Sequence, residues 1–167
     1  MSDRTSPSES LPFNTPVESG LRSLVTLTEA FPARYDLQRL LFFDYLLVHS
    51  KDAGGPKSLH PGTPYRSGEV LVRRGLVEEG LRFLVNRGLI EQKFDEDGIT
   101  YLATDYAMPF LESLQSRYTQ RLKDRAKWLI ESFGESSHEN LSKFFYANLD
   151  RWGSEFEHEA KFRELPE

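Results

Sequence analysis

"SGEVLVRRGLVEEGLRFLVNRGLIEQKFDEDGITYLATD" occupies residues 67–105, and its reading decides the fold. Ser67 is placed to cap a short helix that runs to about Arg73. Gly75 allows a turn, and a second helix follows from about Val77 to Arg87. Val77, Leu81, Leu84 and Val85 share one face of it, the spacing of an amphipathic helix. Gly88 stands where a left-handed C-cap belongs. "LIEQKF" and "ITYLAT" then alternate around "DEDG", which marks a β-hairpin. A helix, a short helix, a helix and a hairpin in succession predict a winged helix-turn-helix.

The flanking segments are helical. Val17, Leu21, Leu24, Val25 and Leu27 predict a helix from Pro16 to Ala30, with Pro16 at the first helical position and Pro32 beyond the end. "YDLQRLLFFDYLLVHS" predicts a helix capped by Asp36 and apolar on nearly every side. One of those sides is expected to face a partner through Phe42, Phe43 and Tyr45. From Pro109 to Phe133 the three- and four-residue steps predict one kinked helix or two. A short amphipathic helix is expected from His138 to about Trp152. The fold class is therefore mainly α with a small β-hairpin, a winged helix-turn-helix with N- and C-terminal helices. Residues 1–12 read as a disordered Ser- and Pro-rich start, 13–133 as the winged-helix domain, and 134–167 as an acidic, aromatic docking segment.

Composition limits the function. The chain has 167 residues, 38% hydrophobic and 28% charged, which suits one soluble globular domain with appendages. It has no cysteine, so disulfides, thiolate zinc sites and cysteine nucleophiles are excluded. No apolar run is long enough to span a bilayer, and "MSDRTSPSES" lacks the apolar core of a secretory signal, so a cytoplasmic location is expected. Of 26 acids and 21 bases, nine acids and four bases lie from Glu131 onward, leaving 17 of each in the first 130 residues. The tail thus carries the whole net charge of −5. A neutral body does not bind nucleic acid by bulk electrostatics, which needs clustered Lys and Arg.

"SLHPGTPYRSGE", residues 58–69, has the composition of a functional loop. Asp44, His49 and His60 are near enough in sequence to meet, but no strand–Ser–helix elbow and no two-histidine metal spacing accompanies them. "GGPKS" is too short for a phosphate-binding loop. No cofactor or metal site is expected. For DNA, Arg73, Arg74 and Arg87 are the candidate contacts, yet Glu78 and Glu79 begin the expected recognition helix and would face phosphates. Pro61 and Pro64 stiffen the loop, and Tyr65 and Arg66 are residue types that anchor interfaces. His60, Tyr65 and Arg66 therefore read as a docking surface, or else as part of a structural loop. Phe145, Tyr146 and Trp152 read as docking residues of the tail, which is otherwise merely solubilising.

Over about Phe13 to Ile130 the chain resembles a known family, most specifically at "DLQRLLFFDYLLVHS", "SLHPGTPYRSGE" and "RGLIE". It is similar to the middle component of bacterial three-component ABC-ATPase systems, a group that includes Lamassu-type anti-phage defence. The resemblance implies a small winged-helix protein that accompanies an SMC- or Rad50-like ATPase and an effector, often a nuclease. It implies a non-catalytic adaptor that touches DNA only within the complex, with no membrane partner. No catalytic residue is carried over. Two alternatives stand beside this expectation: a DNA-binding winged-helix regulator, and an enzyme centred on His49 and His60.

Overall fold

The computed structural model describes residues 15–60, 66–96 and 98–148. The element order is α1 (Pro16–Ala30), β1 (Tyr35–Asp36), α2 (Leu37–Val48), a 3-10 turn (Ser50–Ala53), α3 (Arg66–Asn86), β2 (Ile90–Asp95), β3 (Gly98–Ala103), α4 (Ala107–Ser113) and α5 (Arg117–Phe133). Residues 138–148 are also helical and are called α6. The chain is mainly α with a small antiparallel sheet, as the sequence pattern predicts.

Local chemistry sets most element ends. The Thr15 and Asp36 side chains accept hydrogen bonds from the backbone N–H of Glu18 (3.2 Å) and Arg39 (2.8 Å), capping α1 and α2. Ser116 caps α5 in the same way. α3 ends at Gly88, with φ of 73°. The N–H of Leu89 reaches the Leu84 carbonyl, and that of Gly88 reaches Val85, the paired bonds of a Schellman end.

Two expectations change. α3 is one continuous helix of 21 residues, so there is no turn at Gly75. The reason lies in packing. Arg73, Val77, Gly80, Leu81 and Leu84 form one buried stripe on one face, and a mid-helix glycine costs only about 1 kcal/mol against alanine. Read as a polar residue, Arg73 breaks that stripe; read as half of a buried ion pair, it continues it. The sheet has three strands, not two. β1 adds to the hairpin in the order β1-β3-β2, pairing Tyr35 with Tyr101 and Asp36 with Thr100. Two residues are too few to show alternation. The segment after β3 resolves into two helices, α4 and α5.

α2 is the centre of the core. Leu40 to Val48 are all buried, covered by α1, α3, α5 and the sheet. α6 closes the remaining side, where Phe145 stacks on Phe42 with ring centroids 4.3 Å apart and meets Tyr45 edge-on. The helix that looked over-apolar is covered by its own chain. Phe42, Phe43, Tyr45 and Phe145 are therefore core residues rather than docking residues.

α1 crosses α3 at two glycines. A Cβ built on Gly80 would lie 2.5 Å from the Gly20 nitrogen and 2.6 Å from the Pro16 carbonyl oxygen. These are backbone atoms, so neither helix yields without moving as a whole.

A paired substitution tests this account. Gly75→Ala meets nothing within 4 Å and lies in mid-helix, so it should stabilise the protein by about 0.5–1 kcal/mol. Gly80→Ala should destabilise it by about 1–3 kcal/mol despite the same gain in helix propensity. Denaturant unfolding of both variants reads the difference. A destabilising Gly75→Ala would restore the turn.

Candidate functional site: a sealed polar centre and its surroundings

The chain buries an ion triad. Asp44, on α2, lies between Arg22 of α1 and Arg73 of α3. Arg22 Nε is 2.7 Å from Asp44 Oδ1, and Arg73 Nη1 is 2.6 Å from Oδ2. All three side chains are sealed from solvent. Burial alone would raise the Asp44 pKa, but the two guanidiniums outweigh it and hold the carboxyl below its ordinary value. A charge this deep persists only because it is paired and hydrogen-bonded.

The polar centre continues toward the loop. Arg22 also hydrogen-bonds the Tyr118 phenol of α5, whose pKa burial raises. The Tyr118 hydroxyl and His60 Nε2 share a hydrogen bond of 2.9 Å. Which of the two donates in that bond depends on the histidine tautomer. The His60 pKa is lowered to about 4, first by burial and then by Arg22, Arg73 and His49, with Asp44 opposing. A pKa this low describes a neutral imidazole near pH 7.

The first half of the loop is tied down by backbone bonds. The N–H groups of Leu59 and His60 both reach the Val48 carbonyl. Ser50 Oγ donates to the Pro56 carbonyl at 2.7 Å, and the Arg125 guanidinium reaches that of Lys57. Tyr45 donates to Asp52 Oδ2 at 2.6 Å. The structure thus brings Asp44, His49 and His60 into one cluster, as the sequence spacing allowed. It adds Arg22 and Tyr118, which sequence reasoning missed. The available signal was Arg22, a base inside the apolar stripe of α1.

The remaining candidates separate. His60 is buried, and its ring faces Tyr118 rather than solvent. Tyr65 and Trp152 lie outside the described residues, as does the Arg66 side chain. Tyr146 is exposed on α6, its ring edge against Phe42. Of the bases expected to touch DNA, Arg73 is corrected: it is buried on Asp44 and unavailable to a phosphate. Arg74 is exposed beside Glu78, at 3.6 Å, and the Arg87 guanidinium stacks over Phe83 at 4.2 Å. Among the described residues, no group of histidines and carboxylates is arranged to hold a metal ion, and no helix is long and apolar enough to cross a membrane.

One surface went unnoticed in the sequence. α4 turns Ala107 and Leu111 into the core, while Tyr106, Met108 and Phe110 stand outside it, near exposed Phe31 at the end of α1. The hairpin tip likewise exposes Phe94 and its cross-strand neighbour Ile99.

Comparison with known families identifies residues 12–155 with a single family model, described as "ABC-three component (ABC-3C) system Middle Component 2". No curated protein and no solved structure matches the chain.

Two measurements test the polar centre. Asp44→Asn leaves two buried guanidiniums without a counter-charge and should cost about 3–5 kcal/mol, read by denaturant unfolding. A loss under 1 kcal/mol would mean the triad is not sealed. His60 has the opposite dependence on pH from a salt-bridged histidine. Its folded pKa of about 4 lies below the free value of 6.5, so its contribution is complete above pH 6.5. It is lost as pH falls from there toward 4. The stability gap between the wild type and His60→Gln should shrink by up to about 3 kcal/mol between pH 7 and pH 4. A gap that does not vary with pH contradicts the assignment.

Proposed function

The chain belongs to the Middle Component 2 family of ABC three-component systems, and on that premise we propose that it is a non-catalytic adaptor that links an SMC- or Rad50-like ATPase to an effector. A middle component has partner components by definition. The identities of those partners, a nuclease-type effector, a role in anti-phage or anti-plasmid defence of the Lamassu type, and a cytoplasmic setting are all part of this proposal.

One observation carries the reading: the contrast between the centre and the surface. The residues with chemical potential, Asp44, His49 and His60, are buried and joined to Arg22, Arg73, Tyr45 and Tyr118. They hold α1, α2, α3, α5 and the loop together. Large apolar side chains, by contrast, are left on the outside: Phe31, Phe94, Tyr106, Met108 and Tyr146. A protein built this way acts through what it touches.

The element order supports a winged-helix reading. α1, β1, α2, α3 and the β2–β3 hairpin, with sheet order β1-β3-β2, run in the order expected of a winged helix-turn-helix, which would put α3 in the recognition position. Its exposed face carries Glu78 and Glu79 beside Arg74 and Arg82, and the hairpin tip adds Asp95 and Glu96. That mixture favours a protein surface over duplex DNA. Within the complex, Arg74 and Arg87 remain the bases on α3 and its end that would reach a phosphate.

Co-expression with the ATPase and effector components of its system, followed by size-exclusion chromatography, should give one complex at micromolar concentration. Separate elution of all three would count against the adaptor. The isolated chain should bind duplex DNA no tighter than ~1 μM at physiological salt, measured by fluorescence anisotropy. Nanomolar, sequence-specific binding would favour a transcription regulator instead.

A further inference from the structure

We infer that the groove between the C-terminal end of α1 and α4 seats a protein segment that presents apolar side chains flanked by lysine or arginine. The inference rests on the adaptor reading and names the surface and chemistry by which one partner is held.

The groove is made of two adjoining cavities. The larger, about 340 Å³, is lined by Thr28, Phe31, Asp105, Met108, Pro109 and Glu112 among others. The smaller, about 220 Å³, shares Thr28, Met108 and Glu112 and continues past Leu111 to Glu29. Met108 therefore stands between two depressions, each of a size to accept a large side chain.

Its surroundings are apolar beyond what the fold requires. Tyr106 is 74% exposed, Met108 57%, Phe31 53% and Phe110 39%. α4 is attached to the core through Ala107 and Leu111, one turn apart. A seven-residue helix with those two positions inward would ordinarily face water with charged residues. Here Met108, Pro109 and Phe110 face it instead. Methionine adapts its shape to a partner, while proline and aromatics lose little side-chain freedom on docking.

Charge selects the occupant. Glu29, Asp105 and Glu112 line the two cavities, and among the described residues Lys123 is the one base lining them. The Lys123 ammonium donates to the Leu111 carbonyl at 2.9 Å, so it serves to hold α4 against α5. An acidic rim repels a phosphate backbone and an anionic lipid surface. It also opposes a symmetric dimer, because two grooves face to face would set these carboxylates against their own copies. An apolar floor with an acidic rim fits a segment with apolar anchors and basic flanks.

The sequence supplies a direct reporter. It contains two methionines, Met1 and Met108. Selective carbon-13 labelling of the methionine methyls gives two signals, and Met108→Leu assigns them. The labelled full-length chain is titrated with the purified ATPase and, separately, with the purified effector, with complex formation followed in parallel by size-exclusion chromatography. The expected result is a saturable shift or broadening of the Met108 methyl with one of the two. Asp105→Lys combined with Glu112→Lys should weaken that binding by about tenfold or more at low salt, with an unchanged melting temperature. If a complex elutes but the Met108 signal does not move, the groove assignment is overturned while the adaptor reading stands. If the double charge reversal binds as well as the wild type, a basic occupant is ruled out. If neither component binds, the adaptor reading falls, and this inference with it.

Discussion

The Asp44 carboxylate is the point on which the architecture turns. From α2 it bonds to both Arg22 of α1 and Arg73 of α3. A buried ion triad is a poor source of net stability, because desolvating three charges offsets most of their attraction. Its value here is in what it forbids. Apolar stripes slide and rotate against one another at modest cost, whereas a carboxylate with two guanidiniums has one acceptable arrangement. Rotating α1 or α3 by a single position would leave a buried charge without its partner. The triad therefore sets the rotational register of two helices on a third.

The Gly20–Gly80 crossing reinforces that register from the other side. It brings the backbones of α1 and α3 so close that no Cβ fits between them. Close approach and fixed rotation together let α2 be apolar on nearly every side and still be enclosed from Leu40 to Val48. The same constraint reaches outward through Tyr118 and His60, which attach the start of the loop to α5. A network that begins as a helix clamp thus ends by positioning a surface loop. The neutral state of His60 follows from this placement, since burial disfavours its charged form and a third positive charge beside Arg22 and Arg73 would be repelled.

With its ionisable centre engaged in holding the fold together, the molecule offers partners a patchwork of apolar side chains set among acids. The α4 surface and the hairpin tip share this character: Met108 and Phe110 beside Glu112, Phe94 beside Asp95 and Glu96. On the adaptor reading proposed above, such surfaces are where partner components dock. They stand on short, well-anchored elements, so the contacts are pre-positioned.

Local chemistry made much of this legible from sequence. Periodicity marked α1, α2 and α5, Asp36 announced its own cap, Gly88 its left-handed end, and "DEDG" the hairpin. These signals act over three to five residues, so the sequence alone determined them. What it could not determine were effects between distant residues. Gly75 looked like a turn because a lone glycine and a polar Arg73 interrupt the pattern of α3; only Asp44, 29 positions away, turns that arginine into a core residue. Phe42, Phe43, Tyr45 and Phe145 looked like interface aromatics because sequence reports apolarity and not what covers it. Burial depends on the whole chain's path, and so does the pairing of Arg22 with Asp44 and of His60 with Tyr118. Tertiary structure decided which residues were core and which surface, because only closing the chain on itself determines which side chains lose their water.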